Sequence, residues 1–415
     1  MYGLIGEKLG HSFSKIIHET FANYTYDLIP LTKQELDCFL KEKAFSAVNV
    51  TIPYKEMVIP YLDHLHETAK KVGAVNAIVN KNGILTGYNT DYFGFLYQLQ
   101  QNKIEIKGKK VLVLGKGGAA KAVLAVLQDM EAKDIITVYY KEDKNAVSYT
   151  ECYAKHTNAQ VVINTTPVGM YPNTDQTPLD ITNFSALEAV VDVIYNPLHT
   201  KLVLNGIKKG CTSVGGLEML IAQAKYAVEI FTEKAVSDEA MLDLVKKMKK
   251  DSGNLVLIGM SGCGKSTIGQ KVAEQMQRNF IDTDTEIIKK INMPIATYFE
   301  KFGEKAFRVV EQEVVAEVSK QNGVVIATGG GVVLSEKNIE MLQQNGYLIW
   351  LKRESTQLEI GNGRPLVKNF DDVNQLYQKR IPYYQKAAHM IVENQKEQYE
   401  VAKDVIHAYV SIHTI

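Results

Sequence analysis

Short runs of consecutive apolar residues alternate along the chain with stretches in which apolar residues recur every three or four positions. The first pattern marks strands buried on both faces, the second amphipathic helices. The expected fold class is therefore α/β, with parallel-sheet architecture through most of the chain. Residues 111–114 form one strand run, ending in Gly115-Lys-Gly-Gly-Ala-Ala120, and residues 121–130 continue as a helix. A second strand over 135–140 follows about 20 residues after the glycines, which is βαβ spacing. The pattern breaks near the middle. Residues 241–250 read as a basic helix end, Asp251-Ser-Gly-Asn254 as a turn, and residues 255–258 open a fresh strand.

This places the main boundary near Lys250, with a linker over 249–253 and a second part over 254–415. The first part divides again, into a lobe over 1–95 and a nucleotide lobe over 96–215. Two such lobes normally hold a ligand in the cleft between them. No internal repeat or low-complexity segment interrupts either part.

Composition narrows the classes. The 415 residues are 46% apolar and 23% charged, which excludes a disordered, collagen-like or coiled-coil chain. Lys+Arg and Asp+Glu both number 47, so no bulk positive field draws the chain to nucleic acid or an anionic membrane. Basic residues used on a ligand must be locally placed. Cys38, Cys152, Cys211 and Cys263 are dispersed, without a C-x-x-C pair. Neither a disulfide framework nor a zinc site is expected, and a reducing cytoplasm is the simplest setting. The first residues meet a charge at Glu7 with no long apolar run, unlike a signal peptide. No segment has the roughly 18 apolar residues of a transmembrane span.

G-x-G-x-x-A at Gly115, Gly117 and Ala120 has the chemistry of a pyrophosphate turn. Gly115 permits the tight turn, Gly117 lets the backbone approach the phosphates, and the following helix points its N-terminus at the anion. A bland glycine-rich turn is the alternative. Lys141, just past the second strand, would meet a 2′-phosphate and favour NADP. Glu142 and Asp143 beside it weigh toward NAD, so the choice stays open.

Over its first 245 or so residues the chain resembles shikimate dehydrogenases. The resemblance rests on His11-Ser-Phe-Ser-Lys15, Asn49-Val-Thr-Ile-Pro-Tyr-Lys55, Gly73-Ala-Val-Asn76, Asn89-Thr-Asp91, Asn164-Thr-Thr-Pro-Val-Gly-Met170, Asp192-Val-Ile-Tyr-Asn-Pro197 and Gly215-Gly-Leu-Glu-Met-Leu-Ile-Ala-Gln223. It implies Lys55 and Asp91 as the catalytic pair, with Ser12, Ser14, Thr51, Asn76, Tyr195 and Gln223 on the substrate. It implies Gly115, Gly117, Gly118, Ala119, Lys141, Val193 and Gly216 on NADP(H). It also implies that helices over about 216–248 complete the 1–95 lobe. Two positions depart from the family. Tyr140-Lys141-Glu142 replaces its usual Asn-Arg-Thr, and Lys15 replaces a common proline. Read as residues alone, Lys55 is equally a solvated surface lysine and Asp91 a helix N-cap.

Gly259-Met-Ser-Gly-Cys-Gly-Lys-Ser266 fits G-x-x-x-x-G-K-[ST] in full, between a strand and a helix. Backbone N–H groups of Gly262, Cys263, Gly264, Ser266 and Thr267 would cradle the ATP phosphates, with Lys265 as a mobile charge and Ser266 on Mg²⁺. Cys263 reads as a small filler, since no base accompanies it. The rest of this part resembles shikimate kinases through Phe280-Ile-Asp-Thr-Asp284, Ala306-Phe-Arg308 with Glu311, Thr328-Gly-Gly-Gly331, Gly363-Arg-Pro-Leu366 and Arg380-Ile-Pro-Tyr383. That resemblance implies Asp282 on Mg²⁺, Asp284 on the acceptor hydroxyl and Arg364 on ATP. It further implies Arg308, Gly330 and Arg380 on the substrate. The plain alternatives are a surface turn for the glycines and helix ion pairs for the arginines.

The expectation is a bifunctional enzyme that reduces 3-dehydroshikimate with NADPH and phosphorylates the resulting shikimate with MgATP. Oligomeric state is left open. One rival keeps both parts but changes substrate, for instance to quinate. Another makes the second part a non-catalytic nucleotide-binding regulator of the first. His64 and His66 read as surface residues and Trp350 as core.

Overall fold

The computed structural model describes residues 1–10, 13–358 and 370–413. The chain forms two compact units. One comprises 1–170, 176–195 and 202–245, and the other 171–175, 196–201 and 246–415.

The first unit holds two sheets. Strands β1 (Tyr2–Gly6), β2 (Tyr26–Pro30), β3 (Ala47–Val50), β4 (His64–Leu65), β5 (Ala77–Lys81) and β6 (Ile84–Tyr88) form a six-stranded sheet in the order β2-β1-β3-β5-β6-β4. It is mixed, because β5 runs antiparallel to both β3 and β6. The exception to the parallel pattern has a local cause. Asn82 and Gly83 separate β5 from β6 and both take positive φ, at 54° and 85°. Asn-Gly with that geometry is a type I′ hairpin turn, which a parallel crossover cannot use. Ile5, Val48, Val50 and Ile78 pack on one face with Leu36 and Leu40. Leu4, Ala47, Ala77 and Val79 pack on the other with Ala227 and Phe231 from the helix Leu217–Thr232.

Strands β7 (Lys110–Leu114), β8 (Asp134–Val138), β9 (Val161–Asn164), β10 (Ala189–Asp192) and β11 (Thr212–Val214) form an all-parallel sheet in the order β11-β10-β9-β7-β8. Val111, Val113, Val161 and Ile163 face one core, and Leu112, Leu114, Val162 and Val190 face the other. Burial on both sides explains why these strands read as unbroken apolar runs. The strand expected over 135–140 ends at Val138, where Tyr139 N–H turns away to the carbonyl of Val147.

The second unit carries β12 (Asn254–Ile258), β13 (Phe280–Asp282), β14 (Val325–Ala327), β15 (Gly346–Lys352) and β16 (Met390–Glu393), parallel throughout in the order β13-β14-β12-β15-β16. Trp350 lies in this core, 2% exposed and stacked on Tyr384. The expected linker over 249–253 is almost absent. The helix Asp238–Ser252 runs through it, stapled by the i,i+4 pair Lys247–Asp251, and only Gly253 precedes β12. His64 and His66 are exposed, and His66 caps the helix Glu67–Val72 by accepting from Thr68 N–H. Among the described residues no helix is long and apolar enough to cross a membrane.

Candidate active sites

Two residues far apart in sequence meet in the first unit. Lys55 Nζ donates to Asp91 Oδ2 at 2.5 Å, although the two lie 36 positions apart along the chain. Lys55 follows β3, and Asp91 opens the helix Asp91–Gln101. Asp91 does not act as a capping side chain. Asn89 Oδ1 accepts from Tyr92 N–H instead, which leaves the Asp91 carboxylate turned toward Lys55. Nor is Lys55 a solvated surface residue, since its side chain is 17% exposed and that of Asp91 10%. Partial removal from water strengthens the pair.

Asn76 locks the aspartate from its other side. Its Nδ2 donates to Asp91 Oδ1 at 2.9 Å, to Thr90 Oγ1 at 2.9 Å and toward Gln223 Oε1 at 3.4 Å, while its Oδ1 accepts from Thr90 N–H. Lys55, Asp91, Asn76 and Gln223 line a cavity of about 290 Å³, together with Thr51 and with Ser14 at the start of the helix Ser14–Phe21. Ala119, Val193, Tyr195 and Gly216 line the same cavity. Ser12 lies outside the described residues.

The glycine loop adjoins this cavity. Gly115 takes φ 102°, which suits glycine alone. Gly117 is the N-cap of the helix Gly118–Asp129. A β-carbon on Gly118 would lie 3.3 Å from Lys55 Cδ, whereas one on Gly117 would meet nothing within 4 Å. The loop therefore passes close to the lysine while leaving open space over the helix N-terminus, which fits a dinucleotide pyrophosphate. Lys141 is exposed, with its ammonium over the Tyr140 ring.

In the second unit the phosphate loop follows β12. Gly262 and Gly264 take φ 82° and 93°, and Gly264 caps the helix Lys265–Met276. Lys265 is 7% exposed and donates to the loop carbonyls of Gly259 and Met260 at 2.9 and 2.8 Å. Cys263 is fully buried, and its carbonyl accepts from Asn394 Nδ2. Ser266 Oγ donates to Asp282 Oδ2 at 2.5 Å, and Asp282 Oδ1 caps the helix Thr283–Ile291 by accepting from Asp284 N–H and Thr285 N–H. A hydroxyl and a carboxylate converging on one spot are hard oxygen donors, the type Mg²⁺ takes. Gly262, Gly264, Lys265, Ser266, Thr267, Asp282, Asp284 and Gly330 all line a cavity of about 740 Å³, ample for a nucleotide and an acceptor.

Burial pushes the Asp284 carboxyl up, and the Asp282 charge adds to that, while Lys265 and Arg308 oppose it. Arg308 donates to Glu311 at 2.9 Å and to Glu304 at 3.0 Å. Its partner Glu311 is only 2% exposed, so this is not a surface ion pair. Burial lifts the Glu311 carboxyl and Arg308 pulls it back. Arg380 is 4% exposed; its Nη1 donates to the Gly330 carbonyl at 3.1 Å, and its Nε is buried with no partner. That orphaned donor leaves capacity for an acidic ligand. Arg364 lies outside the described residues.

Comparison with known proteins decides the family. The model of the shikimate dehydrogenase substrate-binding domain matches residues 4–78, and that of the shikimate 5′-dehydrogenase C-terminal domain matches 216–246. A shikimate dehydrogenase (NADP(+)) of Clostridium beijerinckii is 42% identical over 250 residues, covering 56% of this chain and 92% of that protein. By its first part, the chain belongs to the shikimate dehydrogenase family. The shikimate kinase model matches residues 261–410, so a shikimate kinase domain follows the dehydrogenase part. A chorismate mutase/shikimate 5-dehydrogenase fusion protein from Clostridium acetobutylicum is 36% identical with a TM-score of 0.57, over 60% of this chain and 97% of that one. The shikimate 5-dehydrogenase of Thermus thermophilus, solved with NADP(H) and shikimate, is 28% identical with a TM-score of 0.54, over 59% of this chain and 98% of that one. The chain is thus a shikimate-pathway enzyme with dehydrogenase and kinase parts.

Some site residues escaped sequence reasoning. In the dehydrogenase part Lys8 and Asn49 also line the cavity. Asn49 stood inside a quoted motif without a role. Its carboxamide accepts from Tyr26 Oη at 2.7 Å and donates to the backbone carbonyl of Asn76, so it steadies the residue that steadies Asp91. In the kinase part Arg353 and Asn394 line the nucleotide cavity. They follow β15 and β16, and the rule that ligands sit at the carboxyl ends of parallel strands was the available signal.

Proposed function

We propose that the dehydrogenase part reduces 3-dehydroshikimate to shikimate with NADPH, and that the kinase part transfers the γ-phosphoryl of MgATP to the 3-hydroxyl of shikimate, in the cytoplasm. The observation that carries the reading is the Lys55–Asp91 pair at 2.5 Å, held in one cavity with Asn76, Gln223 and Ala119 of the glycine loop.

NADPH, when bound along Gly115, Gly117, Gly118 and Ala119, supplies the hydride. Reduction of a ketone also builds negative charge on oxygen, which needs a proton. Lys55 would stabilise that oxygen and deliver the proton from Nζ, with the Asp91 carboxylate 2.5 Å away holding the side chain aimed. Ser14, Thr51, Asn76, Tyr195 and Gln223 hold the ring acid in place, with Ser12 as the remaining expected contact on its carboxylate.

In the kinase part, Gly262, Cys263, Gly264, Lys265, Ser266 and Thr267 would hold the triphosphate, with Ser266 and Asp282 on Mg²⁺ and Arg364 over the nucleotide. Asp284 would accept the acceptor proton, and its raised carboxyl pKa makes it a better base than an ordinary aspartate. Arg308 and Arg380 supply planar donors for the substrate carboxylate, and Gly330 lets the backbone approach it. The product of the first part is the acceptor of the second, so the fusion is chemically coherent.

One coupled assay tests the reading. With 3-dehydroshikimate present, NADPH oxidation is expected first, and ADP release only after MgATP is added. ADP release that does not depend on shikimate, or oxidation that does not depend on 3-dehydroshikimate, would refute it.

A further inference from the structure

The coenzyme lobe carries an ion pair that the reading above leaves unused. Lys116, the residue between the first two glycines of the loop, donates to Asp143 Oδ2 at 2.5 Å. The loop after β7 is thereby tied to the segment that follows β8. The two side chains are 31% and 25% exposed, so solvent screens them less than an open surface pair. Asp143 also accepts from Asn145 N–H at 2.8 Å, and with Lys116 this holds its carboxyl below the ordinary range. Nearby, Tyr140 is 72% exposed, with the ammonium of Lys141 over its ring at 5.2 Å.

In a βαβ coenzyme lobe the adenosine ribose lies at the end of the second strand. There a carboxylate takes the 2′-hydroxyl of NAD, or a cation takes the 2′-phosphate of NADP. This chain places both charges at that point and pairs each with the other.

We propose that the Lys116–Asp143 pair sets the coenzyme preference of the dehydrogenase part. Lys116 exchanges Asp143 for the 2′-phosphate, and Asp143 opposes that phosphate while offering an acceptor to a 2′-hydroxyl. The proposal deepens the NADPH reading above and rests on it. A phosphate monoester carries about −1.5 to −2 charges at pH 7, so an ionised Asp143 beside it is repulsive unless a cation intervenes. Lys116 is the better anchored cation, because it stands inside the phosphate loop itself, whereas Lys141 is exposed and screened. Removing the two charges in turn must then move the preference in opposite directions. A pair that merely stiffened the loop would move both coenzymes together.

The experiment uses the full chain and its Lys116→Gln, Lys116→Arg and Asp143→Asn variants. Calorimetry compares adenosine 2′,5′-bisphosphate with 5′-AMP, and kcat/KM compares NADPH with NADH. In Asp143→Asn both ratios are expected to shift toward the 2′-phosphate by about tenfold, and in Lys116→Gln away from it by about tenfold. Lys116→Arg is expected to stay within about threefold of the unsubstituted chain. If that chain binds both nucleotides but the ratios stay within twofold in Lys116→Gln and Asp143→Asn, or move the same way in both, the role of the pair is overturned and the NADPH reading survives. If the unsubstituted chain binds neither nucleotide and reduces with neither coenzyme, both fall.

Discussion

A β-carbon on Gly331 would stand 2.4 Å from the guanidinium of Arg308, closer than any real contact allows. The third glycine of the run is therefore what gives Arg308 its place over the loop. Gly331→Ala must push the arginine off its present position against Glu311. If Arg308 holds the substrate carboxylate, losing that charge-assisted contact costs about 1.5–3 kcal/mol, or roughly ten- to a hundredfold in kcat/KM for shikimate. NADPH-dependent reduction is expected to stay unchanged. Initial rates of each half-reaction check this, and a kinase unaffected by the methyl group would remove Arg308 from the acceptor site.

Lys55→Ala takes away the ammonium that stands 2.5 Å from Asp91 in the dehydrogenase cavity. General acid catalysis typically contributes about 10²–10⁴-fold, so kcat for reduction is expected to fall by that much. Phosphorylation is expected to hold within about twofold, because Lys55 and the phosphate loop lie in different compact units. Loss of both activities in a variant with an unchanged far-UV circular dichroism spectrum would contradict this independence.

The glycine loop and the phosphate loop were legible because each depends on residue types at short spacing: a strand, a positive-φ turn, a helix N-terminus. Lys55 and Asp91 came only through the family resemblance. What could not be read was whether the nearby charges were free. Asp91 in Asn-Thr-Asp looks like a cap, and only the fold shows that Asn89 does the capping while Lys55 arrives from 36 positions away. Arg308 has a carboxylate at i−4 and another at i+3, an ordinary helix pattern. Burial of Glu311 is what separates it from a surface pair. The apolar runs give the α/β class, but the antiparallel course of β5 in the first sheet depends on the local Asn82-Gly83 turn, which run length alone does not reveal. The linker expected over 249–253 rests on Asp251-Ser-Gly-Asn254, but the helix continues through Lys250 and Asp251 to Ser252.

Tyr384 donates to the Gly330 carbonyl at 2.6 Å from a fully buried position, and Arg380 donates to the same oxygen at 3.1 Å. Tyr384→Phe removes one of two donors while keeping the stack on Trp350. The kinase part is expected to lose about 0.5–1.5 kcal/mol of stability, with a modest rise in KM for shikimate as the glycine run loosens. Trp350 is the chain's one tryptophan, so its fluorescence during urea denaturation reports on that unit. An unchanged midpoint with an unchanged KM would show that the hydroxyl contributes nothing to either.

His18 gives the dehydrogenase part an acid sensitivity of known sign. It is 1% exposed, stacked on Tyr26 with ring centroids 4.1 Å apart, and its Nδ1 lies 2.7 Å from Tyr24 Oη. Burial holds its imidazole down at about 3, against 6.5 for an ordinary histidine. Above pH 6.5 both folded and unfolded chains keep it neutral, and it adds nothing to the pH dependence. Below that, the unfolded chain takes up the proton first, so stability falls by up to about 1.4 kcal/mol per pH unit, levelling off near pH 3. Between pH 6.5 and 5 the loss from this one group is on the order of 2 kcal/mol. Amide exchange in β1 and β2, followed by mass spectrometry on each side of pH 6.5 and corrected for the intrinsic rate, is expected to accelerate accordingly. His18→Gln is expected to be less stable at pH 7.5 yet to show a flatter decline toward pH 5. An identical decline in both chains would mean that some other group carries the acid sensitivity, and that the buried imidazole is not the proton acceptor released on unfolding.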